Sequence, residues 1–455
     1  MPRLLIISAN FPPVNTPDMQ RVRMSLPHFV DAGWEVVVLT VDDREPLAPV
    51  EPDLMLTVPA SVRIVRAHAW SRRWTRWVGL NNLGLRTLPF LCLAGRRLLG
   101  AEPFDLVYFS TTQFILLPLG RVWNAEFGVP YVIDLQDPWL NEYYSQPGAP
   151  RPPGGWKYHF AHLSARLLEG WTLFRAAHVI SVSEAYLSTL RRRYQWFGAG
   201  AGSVLTFGAP DVDFAVAQKK FATSPRLLPA TTRLKIAYAG RLGPDMLPAL
   251  DILFAALAQL SDLPRGFELF FYGTSYAPAG QGIATTTALA ERHGLGAIVH
   301  EFPARIGYID SLRIMLETDL ALLVGSEDKS YSPSKVYPTL LAGRPIVAIA
   351  PAETVLAAKI QELGGAALVT FDARQGSDVG AVDRLARLLR DFASSPGLLP
   401  SLPADLGLVT ERYTAAAVAI GQLEIFNAII AQQHPARLPL HVSDYWPESP
   451  EVPET

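Results

Sequence analysis

Short, continuous apolar runs recur along this chain, each followed by a polar or glycine-bearing turn and then by an apolar pattern of helical period. In the first half the runs are Leu4–Ser8, Glu35–Thr40, Asp105–Phe109, Tyr131–Leu135 and Val179–Val182, with a shorter one at Arg63–Arg66. In the second half they are Leu234–Ala239, Glu268–Tyr272, Ile298–Phe302, Leu320–Val324, Ile346–Ile349 and Ala367–Thr370. Unbroken apolar runs suit strands buried on both faces, the situation of a parallel sheet covered by helices. The rhythm predicts an α/β fold of doubly wound, Rossmann-like sheets.

At 455 residues the chain is too long for one ordinary core. The rhythm breaks between Phe207 and Thr232, where the turn Gly208–Asp211 leads into a polar, proline-bearing stretch. Two domains are predicted, residues 1–210 and 233–412, joined by a linker over 211–232. A last helix is expected from about Thr414 to Gln432, and the Pro-rich, acidic tail 434–455 is expected to be flexible. The formal net charge of -2 gives no general reason to expect nucleic acid. Cys92 is the only cysteine, so no intrachain disulfide is possible and a reducing compartment fits. The opening MPRLLIISANFPP does not read as a signal peptide, because Asn10, Pro12 and Pro13 break its short apolar run. No uncharged apolar segment reads as long enough to span a bilayer, and the expected location is cytoplasmic.

Open α/β sheets bind ligands in the loops beyond the carboxyl ends of their strands. The first such loop, Ala9–Pro17, carries Asn10 and has no glycine before Gln20. The G-x-G-x-x-G dinucleotide fingerprint is therefore absent, which argues against a standard dehydrogenase. Asp105–Phe109 ends in Ser110, Thr111 and Thr112, and Tyr131–Leu135 ends in Gln136 and Asp137; the two polar ends should lie side by side. Asp137 is then either a carboxylate for chemistry, as general base or sugar-hydroxyl acceptor, or a cap for the turn before Pro138.

The densest signal is GSEDKSYSPSKVYPTLLAGRPIVAI, Gly325 to Ile349, which reads as loop, helix and strand. Ser334 suits the N-cap, Pro338 still falls in the first turn, and Gly343 ends the helix. Lys335 sits at the helix mouth, where free N–H groups, the macrodipole and an ammonium all favour an anion such as phosphate. The plainer reading is a capped helix with a solvated lysine. Leu234–Ala239 runs into Gly240 and Arg241, and the strand ending at Tyr272 runs into Gly273 and Thr274. Loops at Gly240, Gly273 and Gly325 thus face one crevice, where Arg241 and Lys335 would neutralise a diphosphate. Elsewhere, Trp70, Trp74 and Trp77 recur at helical spacing among Arg72, Arg73 and Arg76, followed by leucines and by Arg96 and Arg97. The stretch Trp70–Arg97 suits either an anionic membrane surface, with the protein peripheral on the inner membrane face, or a helix packed on the first domain with its arginines in water.

Several pieces then fall in a known order over most of residues 1–430: SANFPP with Arg21 and Val22, DLVYFSTT, PYVIDLQDPW, AHVISVSEAYLSTL, FGAPDVDF, YAGRL and SPSKVYPTLLAGRPIVAI. Together they resemble the GT-B glycosyltransferases of the large retaining class called family four, and FYGTSYAPAGQG with GSEDKSYSPSKVYP resembles a bacterial subgroup. The resemblance implies two Rossmann-like domains facing a cleft, with a C-terminal helix, 413–433, crossing back. It implies a nucleotide-diphosphate-sugar as co-substrate on the C-terminal domain, with no cofactor and no obligatory metal. A glycan or lipid-linked acceptor would sit on the N-terminal domain, at the side of Asn10, Thr111 and Thr112, in surface glycan (polysaccharide) biosynthesis. Arg241 matches the diphosphate arginine and Asp137 the acidic position facing the cleft. Gly240, Ser334 and Lys335 complete the diphosphate side, and Gly273, Thr274, Arg305, Ile306 and Ser330 the sugar or nucleoside side. The chain also departs from the pattern. Asn15 and Thr16 replace a glycine pair, and no lysine follows Arg241, since Gly243, Pro244, Asp245 and Met246 come next. The two family glutamates fall at Ser330 and Pro338, and proline has no side chain to bind a ribose hydroxyl. Lys335 would take the place of the lost cation. A transferase is one reading; a catalytically silent scaffold that binds a nucleotide sugar, or a nucleotide-sugar epimerase, is the other.

Overall fold

The computed structural model describes residues 1–140, 156–275, 282–328, 335–372, 378–396, 399 and 404–433, apart from 43, 45, 47, 79 and 80. The chain divides into two compact units, Met1–Gly208 with Ala415–Thr455, and Ala209–Thr414. The expected flexible tail, 434–455, lies outside the described residues.

The first unit runs β1 (Arg3–Ile7), α1 (Pro17–Asp31), β2 (Glu35–Asp42), β3 (Arg63–His68), α2 (Arg72–Thr75), α3 (Leu83–Ala101), β4 (Leu106–Ser110), α4 (Pro118–Phe127), β5 (Tyr131–Leu135), α5 (Trp156–Leu173), β6 (His178–Ser181), α6 (Glu184–Arg193) and β7 (Gly202–Val204). Among the described residues the strands form one parallel sheet of seven, ordered β3-β2-β1-β4-β5-β6-β7. Successive side chains of a strand point to opposite faces. Leu5, Ile7, Val107, Phe109 and Ile133 accordingly pack on one side of the sheet, and Leu4, Ile6, Leu106, Tyr108 and Val132 on the other. That two-sided burial is what the unbroken apolar runs encoded. Ser183 caps α6, accepting the Ala185 N–H.

The second unit runs α7 (Asp211–Thr223), β8 (Leu234–Ala239), α8 (Leu247–Ala258), β9 (Phe267–Tyr272), α9 (Thr287–Arg292), β10 (Val299–Phe302), α10 (Tyr308–Glu317), β11 (Leu320–Val324), α11 (Val336–Leu341), β12 (Ile346–Pro351), α12 (Val355–Leu363), β13 (Ala367–Phe371), α13 (Val379–Ser394) and α14 (Leu406–Tyr413). Its parallel sheet is ordered β10-β9-β8-β11-β12-β13. Strand order reverses between β1 and β4 in the first sheet and between β8 and β11 in the second, and ligands of such sheets bind at that reversal. α15 (Ala415–Gln433) belongs to the first unit, where Ala419, Leu423, Phe426 and Ile430 pack with Val22, Leu26 and Phe29 of α1.

Several expectations need correction. The stretch 211–232 contains α7, because Phe214 and Ala217 find a buried partner in Ile309, Leu312 and Met315 of α10. The final helix lies where expected, at Ala415–Gln433, but a further helix, α14, precedes it and was not foreseen, with Thr414 extended between the two. β7 was missed because its glycine and serine give no apolar run. Ala415–Gln433 is long and apolar enough to cross a membrane by length and composition, though it carries Glu424 and so is not the uncharged segment that the sequence reading excluded. One side of it, with Val418, Ala419, Leu423, Phe426 and Ile430 and the hydrogen-bonded Gln422, is buried in the first unit. Trp70–Arg97 is not one amphipathic helix: it breaks into α2, a 3-10 turn at Arg76–Val78, and α3. Arg86 is buried, its guanidinium donating to the Trp70 carbonyl.

Candidate functional site

In the second unit, β8 and β11 end at Gly240 and Gly325 on either side of the strand reversal. A Cβ on Gly325 would stand 2.6 Å from that of Ala350, so this close backbone approach requires glycine. The Tyr238 hydroxyl donates to the Arg241 carbonyl at 2.8 Å and pins the turn at Gly240. A Cβ on Gly240 would lie 3.4 Å from Cε of Lys335, so the lysine stem passes directly over this backbone. Lys335 is half-buried, and its ammonium is pushed below the ordinary lysine range, first by burial and then by the Arg305 guanidinium. Arg305 itself is exposed. Among the described residues neither Lys335 nor Arg305 has a carboxylate partner. Gly273 has φ +67°, a left-handed turn after β9 that suits glycine, and an added Cβ there would lie 3.9 Å from Ile306. Gly240, Gly273, Arg305, Ile306 and Lys335 are thus linked around the carboxyl ends of β8, β9 and β10.

Three residues differ from expectation. Arg241 is bound to Asp245, Nη2 to Oδ1 at 2.7 Å and Nη1 to Oδ2 at 3.2 Å, and Asp245 also accepts the Ser326 hydroxyl at 2.6 Å. Burial works to raise the Asp245 pKa, but these hydrogen bonds outweigh it and hold the carboxyl below its usual range. Part of the Arg241 charge is therefore already balanced. Thr274 is buried and its hydroxyl donates to Glu301 at 2.6 Å. Its side chain serves a carboxylate that also gathers Thr285 and Thr286, so it is not presented to a ligand. Lys335 itself is the N-cap of α11, with no side-chain cap bond, and α11 is only six residues long, so the helix end contributes less than the sequence suggested. Ser330 and Ser334 lie outside the described residues. Pro338 is buried inside α11.

In the first unit the loops after β1, β4 and β5 hold a polar cluster. Asp18, at the start of α1, accepts the Thr112 hydroxyl at 3.1 Å and the Asn10 amide at 3.4 Å. Thr111 is buried, its hydroxyl accepting the Gln113 N–H, while Thr112 is half-buried and carries the bond to Asp18. Asp137 is exposed and no described residue hydrogen-bonds to it, so it does not cap the turn before Pro138. Its carboxyl is pushed above the ordinary range, first by desolvation and then by Asp18. Beneath the cluster lies a buried ion pair that sequence reasoning did not find: Arg21 Nε stands 3.1 Å from Asp134 Oδ2, and both side chains are buried. Ser110 and Gln136 donate to the same oxygen at 2.8 and 3.1 Å, and Gln136 also reaches the Asp18 carbonyl at 2.9 Å. The available signal was an aspartate inside the run YVIDL, where a buried charge demands a partner. Among the described residues no three His, Cys, Asp or Glu side chains converge to hold a metal ion.

Residues 20–199 match the family model described as a glycosyl transferase 4-like domain. No curated protein sequence matches the chain. Among solved structures, sucrose-phosphate synthase from Thermosynechococcus elongatus is similar over 95% of this chain and 100% of its own, with 17% identity and a TM-score of 0.56. Anabaena Alr3699/HepE, solved in complex with UDP, matches over 94% and 100% with 15% identity and a TM-score of 0.51. A putative UDP-N-acetylglucosamine 2-epimerase from Listeria monocytogenes matches over 96% and 98% with 14% identity and a TM-score of 0.51. At these identities the likeness is one of fold, and the fold is GT-B, an α/β architecture of two parallel sheets covered by helices.

Proposed function

We propose that this protein is a glycosyltransferase that takes a sugar from a nucleotide-diphosphate sugar and passes it to a glycan or lipid-linked acceptor. The observation that carries the reading is Lys335, whose stem passes over Gly240 at the strand reversal of the second unit, with Arg305 of the loop after β10 close enough to disfavour its charge and no carboxylate partner to either among the described residues. Two neighbouring cations next to an open backbone turn suit a diphosphate, whose charge grows as the sugar leaves. The match of residues 20–199 to a glycosyltransferase domain and the UDP-bound relative support the same reading and make UDP the first ligand to try. In this scheme the second unit binds the donor, and Asp137 of the first unit orients an acceptor hydroxyl. Retention at the anomeric carbon, transfer without a metal, and a cytoplasmic role in surface glycan synthesis complete the proposal. A second reading, a silent scaffold or an epimerase, draws support from Pro338, which stands where the resembling enzymes have a glutamate, and from the epimerase of like fold. Calorimetry with UDP and a panel of nucleotide sugars tests donor binding, and detection of released nucleoside diphosphate separates transferase from scaffold.

A further inference from the structure

α5 turns an apolar stripe outward, while polar groups join Ala165 and Leu173 on its inward face. Its inward face carries polar groups: Glu169 is 1% exposed, accepts the Leu140 N–H at 2.8 Å and the Tyr194 hydroxyl at 3.1 Å, and pairs with Arg193. Thr172 is also buried, and its carbonyl takes the Tyr131 hydroxyl. Its outward face carries Phe160, Leu163, Leu167 and Trp171, continued by Phe174, with exposures of 54, 56, 66, 42 and 53%. Steps of three and four residues put these side chains on one face. Trp196, itself exposed, extends the stripe by an edge contact to Phe174 at 5.2 Å. The inward hydrogen bonds fix the rotation of the helix, so the stripe cannot turn inward without stranding Glu169 in a buried site.

The exposed charges described along the stripe have one sign. The exposed charged residues described along 158–175 are Arg166 and Arg175, while Glu169 points inward. Arg121 stands over the Trp171 ring with Cζ 4.5 Å from its centroid and donates to the Trp171 carbonyl. We infer that this face of α5 docks on an anionic phospholipid surface. The aromatic and leucine side chains sit at the boundary of headgroups and acyl chains, and the three arginines meet lipid phosphates. A second copy of the chain is a poorer occupant, because a two-fold contact through the same patch would bring those arginines against their own equivalents. The inference does not rest on the glycosyltransferase reading.

Flotation of the full-length protein with vesicles tests it. Wild-type protein is expected to bind phosphatidylglycerol–phosphatidylcholine vesicles, to bind pure phosphatidylcholine less, and to be released by salt. The double variant Leu163→Gln/Leu167→Gln is expected to bind anionic vesicles about 10-fold more weakly, with UDP affinity and thermal unfolding unchanged, since both side chains are exposed in the free protein. A Trp74→Ala/Trp77→Ala variant probes the other exposed tryptophans of this unit. Four results would overturn the inference: wild type floating with no vesicle, equal binding to neutral lipid, undiminished binding by the leucine variant, or loss confined to the tryptophan variant. Self-association abolished by the leucine variant without any vesicle binding would give the face to a second copy and overturn it as well.

Discussion

Arg305 disfavours the charge of Lys335, and a bound anion relieves that repulsion. Replacing either with alanine should weaken nucleoside-diphosphate binding by about 1.5–3 kcal/mol, the scale of a charged hydrogen bond, measurable by calorimetry. Arg241→Ala should weaken it less, because Asp245 already balances part of that charge. The lysine's lowered pKa adds a pH dependence. As pH rises, Lys335 loses its proton earlier than an ordinary lysine, so affinity falls sooner, and binding there must be accompanied by proton uptake. Calorimetry in buffers of different ionisation enthalpy should show the uptake in wild type and not in Lys335→Met. Asp137 has the opposite shift: its raised pKa means that the ionised form is lost at a higher pH than for an ordinary carboxylate. Asp137→Asn should lower turnover about 100-fold, remove that acidic limb and leave diphosphate affinity intact. Lys335 and Asp137 were legible because each directly follows or closely trails an apolar strand run. The engagement of Thr274 by Glu301 was not legible, since it depends on two neighbouring strand ends rather than on a local pattern.

At the scale of elements, the buried pair Arg21–Asp134 ties α1 to β5, and Arg21 also donates to the Leu205 carbonyl just past β7 at 2.7 Å. Removing one partner leaves the other charge buried without compensation. Asp134→Asn should therefore destabilise the first unit by about 3–5 kcal/mol in urea unfolding, and a change below about 1 kcal/mol would show that the pair is not a joint of the fold. Apart from β7, the strands of both sheets were legible to within a residue or two, because two-sided burial writes itself as continuous Val, Ile and Leu. What stayed hidden were elements held by contacts rather than composition: β7, which is short and glycine-bearing, α7, and α14. The Trp70–Arg97 segment misled for a related reason. Its tryptophans keep a helical period, but Arg86 turns inward to the Trp70 carbonyl and the helix breaks before α3.

For the molecule as a whole, each unit has its own sheet and its own core, so two separable unfolding steps are expected in place of a single two-state transition. Nucleoside diphosphate should raise the step of the second unit and leave the first in place, while Asp134→Asn should lower only the first; scanning calorimetry reads both shifts. The division into two doubly wound halves was legible from the chain's length and rhythm, and donor binding was suggested by charge at strand ends. Whether chemistry follows binding depends on positions such as Pro338, where a departure from the resembling enzymes speaks against activity while Lys335 speaks for it. Release of nucleoside diphosphate from a panel of nucleotide sugars, with wild type compared with Lys335→Ala at saturating donor, decides between them. The proposal predicts slow hydrolysis of at least one donor by wild type and its loss in the variant. A donor that binds wild type tightly yet is never cleaved, with or without acceptor glycans, would contradict it.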